Sequence, residues 1–295
     1  MYQTQKYSGS SPNYWEENWE ASHFEKSVKF SAVDPLRPLF EEFLRPNSLM
    51  LEGGCGMGNY ISYYAGRGYR VVGLDFAQNA LKTLRVRQPH LPLAGGDVSQ
   101  MPFADKTFDL YYSGGVVEHF EGGATESLLE ARRVLKPDGT LLISVPFYNP
   151  LRKILTPFRK DSWRVVDCPV ADEEPPRSDK NFFQYAYTKS EFSRMLDSAG
   201  LKVVKTQGYA LLWGLYDLPL LNRISEREFE GVGTKTETTS PVELDISGLL
   251  KDRESSLMKR LIVSEDANIP LLGLGVRVLR WSVANMMMYV CQRST

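Results

Sequence analysis

The sequence predicts an α/β fold built on a parallel sheet. Three observations predict it. From residue 48 to residue 146 short apolar runs alternate with helical patterns, as βαβ units require. A glycine-rich stretch, Gly54-Cys55-Gly56-Met57-Gly58, separates the first run from the first helical pattern. A carboxylate, Asp75, closes the second run.

The elements follow in order. Residues 1–45 are aromatic and charged, with Tyr14, Trp15 and Trp19 about one helical turn apart, and read as an N-terminal helical extension or lid. Pro46-Asn47 punctuates the chain. Strands are expected at 48–52, 70–75, 91–95, 108–113 and 140–146, with helices at 59–66, 77–87 and 123–135 between them. Lys136-Pro137-Asp138-Gly139 is a helix stop and turn before the fifth strand. Residues 147–187 break the rhythm with prolines, aromatics and the acidic run 171–174, and read as a cap insertion. Thr188-Lys-Ser-Glu191 is a capping box that opens a helix over 188–199. Gly200 then ends it, and 201–209 is a strand. Residues 211–282 form a second cap insertion, whose polar centre at 231–241 reads as a mobile loop. A final strand is expected at 284–292, so the core comprises 46–210 and 283–295.

Composition bounds the function. The 295 residues carry 35 Lys+Arg against 36 Asp+Glu, a net charge of −1. That balance argues against a dedicated nucleic-acid binder. Three cysteines, Cys55, Cys168 and Cys291, make neither a disulfide framework nor a metal-ligand pattern, so a reducing compartment and no metal are expected. The N-terminus shows no apolar signal core, and Arg277 and Arg280 interrupt the hydrophobic tail stretch, so a soluble cytoplasmic protein is expected. Segments 249–263 and 269–283 mix leucines with Lys and Arg, a pattern shared by membrane-surface helices, dimer faces and plain packed helices; the last is the reading adopted.

The chemistry concentrates in Glu52, the loop Gly54, Gly56 and Gly58, and Asp75. Glycines let the backbone turn tightly and approach a ligand. A carboxylate at the second strand tip, about 20 residues after the loop, suits the two hydroxyls of a ribose. Glu52 before the loop suits a ligand bearing an ammonium group and would repel a pyrophosphate. Nicotinamide enzymes share the glycine logic but use GxGxxG, which is absent here.

Four ordered blocks carry a resemblance: LEGGCGMGNY, VVGLDFA, GGDVSQMPFADKTFDLYYSGGVVEHF and LLEARRVLKPDGTLLISVP. With them the chain resembles class I S-adenosylmethionine-dependent methyltransferases of the small-molecule type, the group that includes ubiquinone/menaquinone-type enzymes. The resemblance implies a Rossmann-like, seven-stranded, mostly parallel sheet of order 3-2-1-4-5-7-6, helices on both faces and an antiparallel last strand. It implies S-adenosyl-L-methionine as cofactor and S-adenosyl-L-homocysteine as product. Glu52, Gly54, Gly56 and Gly58 would then hold the methionine end, Asp75 the ribose and Phe76 the adenine face. Asp97 would accept from the adenine amino group, with the Val98 backbone beside the ring. Ser113 and Gly114 would line the place where the methyl points.

Methyl transfer needs orientation, and a base only when the acceptor must lose a proton. His119 is the candidate base; ordering its loop is its plainer role. Glu118 reads as a solvated or helix-start carboxylate. Cys55 reads as a small filler under the cofactor, Cys168 and Cys291 as inert, and His23 and His90 as surface residues. Arg132 and Arg133 read as a solvated helix face, and Asp105 and Lys106 as a plain turn. Tyr148 and Asn149 would point to the site rim. Tyr148, Tyr185 and Trp213, with Tyr14 and Trp19 as a lid, would roof a small, partly apolar acceptor. The expected activity is methyl transfer to that acceptor, with O-methylation preferred; a homodimer is compatible with it. The alternatives are a non-catalytic S-adenosylmethionine-binding scaffold, a nicotinamide-dependent oxidoreductase and a nucleic-acid methyltransferase. Asp75→Ala should weaken binding of an adenosyl ligand by about 1–3 kcal/mol. Calorimetry with S-adenosylhomocysteine checks this, and unchanged affinity in a folded variant removes the assignment.

Overall fold

A computed structural model describes residues 2–5, 24–158, 164–165, 182–215, 217–218, 265, 268 and 272–294. Tyr14, Trp15, Trp19, His23, Cys168 and the expected loop at 231–241 lie outside the described residues.

Helices α1 (Phe24–Phe30) and α2 (Arg37–Phe43) precede β1 (Leu49–Gly53). Then come α3 (Asn59–Ala65), β2 (Arg70–Asp75), α4 (Gln78–Arg87), β3 (Leu93–Gly95) and β4 (Phe108–Gly114). A short 3-10 helix, Val117–His119, leads to α5 (Thr125–Val134) and β5 (Leu135–Pro146). Next are α6 (Pro150–Leu155), α7 (Lys189–Ser198), β6 (Leu201–Tyr209), α8 (Leu211–Leu215), α9 (Gly273–Ser282) and β7 (Met286–Arg293).

The seven labelled strands form one sheet in the order β3-β2-β1-β4-β5-β7-β6, as expected. The pairs β1–β2, β1–β4, β2–β3 and β4–β5 are parallel. β7 runs antiparallel to both β5 and β6. Successive residues of one strand feed opposite cores. Leu51, Tyr111, Leu141 and Met287 pack with α5 and α7, while Met50, Leu110, Leu142 and Met288 pack with α2, α3 and α4. A sheet covered on both faces explains why its strands read as unbroken apolar runs rather than as alternation.

The capping box forms. Thr188 Oγ1 accepts from the Glu191 N–H, and the Glu191 carboxylate accepts from the Thr188 N–H at 2.8 Å. Gly200 follows at φ +72°, the left-handed stop that glycine tolerates.

Three expectations are corrected. The N-terminal extension is not wholly helical. Tyr2–Gln5 is a strand and forms a second, three-stranded sheet with Arg164–Val165 and Phe182–Ala186. The turn expected at 136–139 lies inside β5: the pairing jumps from Phe108–Leu135 to Leu110–Thr140, so the extra residues are taken up as a bulge. Asn149 does not point to the rim. It is fully buried, accepts from the Arg152 N–H at 2.7 Å as the cap of α6, and donates to the Ala284 carbonyl at 2.9 Å.

The sequence reading also passed over a buried ion pair. Arg152 Nε donates to Asp217 Oδ2 at 2.7 Å, Nη1 donates to the carbonyls of Phe147 and Asn285, and Nη2 to Asn285 Oδ1. The guanidinium thus joins the ends of β5 and α8 to the start of β7. Helix α9 packs through Val276, while Leu274, Val278 and Trp281 on its other side are exposed; segment 249–263 lies outside the described residues.

Removing one member of a buried pair strands the other charge. Asp217→Ala should therefore cost about 3–5 kcal/mol in urea unfolding. The double variant Arg152→Met/Asp217→Leu should cost less than Asp217→Ala. The reverse order would show that the pair does not tie these segments.

Candidate active site

The sheet reverses direction of winding between β1 and β4, and the crevice outside the carboxyl ends of such strands is where open α/β sheets bind ligands. The loop after β1 turns there. The Gly54 and Cys55 N–H groups donate to the Leu74 carbonyl at 2.8 and 3.0 Å, and the Gly56 N–H donates to Asp75 Oδ2 at 2.7 Å. Gly54 sits at φ +72°, and a Cβ there would come within 2.3 Å of Val116. Gly58 sits at φ +67° and would collide with Leu84 at 2.5 Å. Both positions therefore demand glycine for conformation and for space.

Glu52, the fourth residue of β1, is buried, and its Oε2 accepts from the Ile61 N–H at 3.1 Å. Burial pushes its carboxyl up to about 8; the Ile61 N–H opposes this and the Asp75 charge adds to it. Asp75 ends β2, with Oδ1 accepting from the Ala77 N–H at 2.8 Å. Its neighbour Phe76 exposes its ring. Asp97 is at the surface, its Oδ1 accepting from the N–H and hydroxyl of Ser99, with Val98 buried beside it. At the tip of β4, Ser113 is buried and Gly114 is partly exposed. Glu52, the glycine loop, Asp75 and Gly114 thus stand on three neighbouring strand ends.

The loop after β4 holds what sequence reasoning misjudged. Glu118 starts the 3-10 helix, as one reading had it, but it is 2% exposed rather than solvated. Burial pushes it up to about 8, and its Oε2 has no hydrogen-bond partner. His119 Nδ1 lies 2.7 Å from the Phe183 carbonyl, and its Nε2 lies 4.0 Å from Glu118 Oε1. A carbonyl only accepts, so the contact fits a hydrogen on Nδ1, which in the neutral ring leaves the lone pair on Nε2. Nothing local marks Phe183 as a partner; the two residues are 64 apart in sequence.

The remaining expectations sort as follows. Cys55 is buried in the loop, and burial pushes its thiol up; Cys291 is likewise buried. His90 is exposed. Arg133 is half-buried and does more than face solvent. It bridges Glu130 at 2.7 Å, Asp105 at 2.8 Å and the carbonyls of Phe103 and Met101, so Asp105 is a clamp point and not a plain turn. Tyr148 is half-buried with its hydroxyl 3.0 Å from Thr156 Oγ1, and Trp213 is half-buried on α8. Tyr185 is fully buried, its hydroxyl donating to the Glu121 carbonyl at 2.8 Å, so it anchors its strand.

Fold and site together define a class I, Rossmann-like methyltransferase architecture. Residues 51–143 match the family model described as "Methyltransferase domain". It is 34% identical over 117 residues to a demethylmenaquinone methyltransferase of Renibacterium salmoninarum, covering 38% of this chain and 48% of that one. It is 32% identical over 122 residues to a malonyl-acyl-carrier-protein O-methyltransferase of Serratia marcescens, covering 41% and 46%. The chain spans about half the length of these curated relatives. A chain of the solved complex between the Haloferax volcanii Trm112 methyltransferase activator and its methyltransferase shares the fold, with TM-score 0.52, 14% identity and coverage of 97% and 99%. Among the described residues no helix is long and apolar enough to cross a membrane.

The residues present fit S-adenosylmethionine: a loop with no room for side chains at Gly54 and Gly58, and a buried carboxyl at Glu52 suited to an ammonium group.

Besides Glu52 and Glu118, burial raises Asp34 to about 6 and Glu265 to about 7. Carboxyls raised on folding bind more protons in the native state than in the unfolded chain. Their contribution is full below about pH 4 and is lost as pH rises through the folded values of about 6 to 8. The ligand-free protein should thus lose Tm between pH 5 and about 9. Glu52→Gln, which cannot ionise, should flatten that slope; an equal slope would contradict the burial of this carboxyl.

Proposed function

We propose that this methyltransferase moves a methyl group from S-adenosylmethionine to a hydroxyl of a small, partly apolar acceptor. The observation that carries the reading is the placing of Glu52 and Asp75 on adjacent strand tips around a left-handed glycine loop. When bound, the cofactor supplies a methyl group on positively charged sulfur.

Glu52 holds the ammonium of the methionine end beside Gly54, Gly56 and Gly58. Asp75, whose oxygens accept from the Gly56 and Ala77 N–H groups, stands where it would accept from the ribose hydroxyls. Phe76 lies against the adenine, and Asp97 accepts from its amino group beside Val98. Ser113 and Gly114 line the methyl position. His119 accepts the acceptor's proton at Nε2, the nitrogen that carries the lone pair, and Tyr148 and Trp213 belong to the acceptor rim. The hydroxyl preference is supported by the presence of an imidazole on the loop after β4, since a carboxylate or basic amine acceptor needs no base.

Calorimetric titration with S-adenosylmethionine, S-adenosylhomocysteine and NADH should give binding of the first two alone. A screen of hydroxyl-bearing acceptors should then give turnover that His119→Ala lowers by about 10²–10⁴-fold at unchanged S-adenosylhomocysteine affinity. Binding of NADH alone would overturn the cofactor assignment, and full turnover in His119→Ala would overturn the base.

A further inference from the structure

His119 is held from outside the methyltransferase sheet. Its Nδ1 meets the Phe183 carbonyl at 2.7 Å, and its ring meets the Phe183 ring edge-on at 4.9 Å between centroids. Phe183 belongs to the strand Phe182–Ala186, which pairs with the N-terminal strand Tyr2–Gln5. That ladder is irregular at one place. Thr4 pairs with Gln184, but Gln5 pairs with Phe182, so Phe183 is the extra residue of a bulge. A bulged residue leaves the ladder and turns its groups elsewhere, and bulges near active sites re-aim what they carry.

The strand is anchored beyond the bulge. Tyr185 donates to the Glu121 carbonyl just past the 3-10 helix, and Tyr187 exchanges hydrogen bonds with the end of β5, its N–H donating to the Pro146 carbonyl and its carbonyl accepting from the Tyr148 N–H. On the other side of the imidazole stands Glu118, buried and 4.0 Å from Nε2. Among the described residues, two groups bear on where the imidazole hydrogen sits: an obligate acceptor at Nδ1 and a carboxyl near Nε2.

We propose that the bulge at Phe183 is a tautomer lock: its carbonyl holds the hydrogen of His119 on Nδ1, keeps Nε2 as the basic atom, and depends on the N-terminal strand for its position. Phe183 is therefore a positioning residue acting through its backbone, and Tyr2–Gln5 reaches the chemistry without touching it. Glu118 does not set the tautomer. Burial favours its uncharged form, and an uncharged carboxyl does not draw a proton onto Nε2.

The inference rests on His119 being the base, yet the two fail separately. Nitrogen NMR of the full chain reads the tautomer directly, with His119→Gln identifying the signal among the three histidines. Above the titration of the ring, His119 should be in the Nδ1–H form. Thr4→Pro, which breaks the ladder opposite Gln184, should shift the population toward Nε2–H and lower kcat about tenfold or more, with S-adenosylhomocysteine affinity unchanged as proof of folding. Glu118→Gln should keep the Nδ1–H form. An Nε2–H tautomer in the wild type, an unchanged tautomer in folded Thr4→Pro, or a switch caused by Glu118→Gln would each overturn the lock. Should Thr4→Pro not fold, the wild-type and Glu118→Gln spectra still decide. A locked Nδ1–H tautomer together with full turnover in His119→Ala would leave the lock standing and remove the base reading.

Discussion

The hydrogen bond from the Gly56 N–H to the Asp75 carboxylate, 2.7 Å long, joins the loop after β1 to the tip of β2. The site hangs on it. With the Gly54 and Cys55 N–H groups on the Leu74 carbonyl, it gives three of the loop's backbone donors their partners and holds the loop to its left-handed path. It also aims the carboxylate. Asp75 is at once the ligand group of the strand tip and the brace of the glycine loop, which makes the cofactor side of the crevice a single unit rather than two adjoining contacts.

The acceptor side is built differently. The turn through Val116 is packed against Gly54, so the loop after β4 meets the loop after β1. Beyond that turn the chain supplies a buried acid and a histidine, and their state is set by residues far along the sequence. Burial keeps Glu118 uncharged, and a cap carbonyl orients His119. Proton placement at this end is thus a property of the assembled fold, whereas charge at the Asp75 end is built into a short loop. The buried Arg152 pair, which joins β5, α8 and β7, holds the cap's roots in the same region.

The strands, the helices between them, the capping box at Thr188 and the stop at Gly200 were legible because each rests on local rules. Those rules are apolar periodicity, side-chain capping and the positive φ that glycine accepts. The bulge in β5 was not legible. Lys-Pro-Asp-Gly satisfies turn chemistry, and only pairing with β4 shows that those residues stay within the ladder. Arg133 shows a similar limit: its partners Asp105, Phe103 and Met101 are brought to it by the fold from 28, 30 and 32 residues away in sequence.

The sequence by itself determined the α/β class, the strand-ending positions of Glu52 and Asp75 and the glycine loop, because spacing and residue type suffice for these. The resemblance of its four blocks added the strand order and the cofactor class. Tertiary structure alone decided the second small sheet, the inward turn of Asn149, the burial of Glu118 and the contact of His119 Nδ1 with the Phe183 carbonyl. Each of these depends on a partner far along the chain, as Phe183 is from His119 and Ala284 is from Asn149. Protonation and tautomer follow from which groups surround a side chain, and a local reading of residue types does not contain its surroundings.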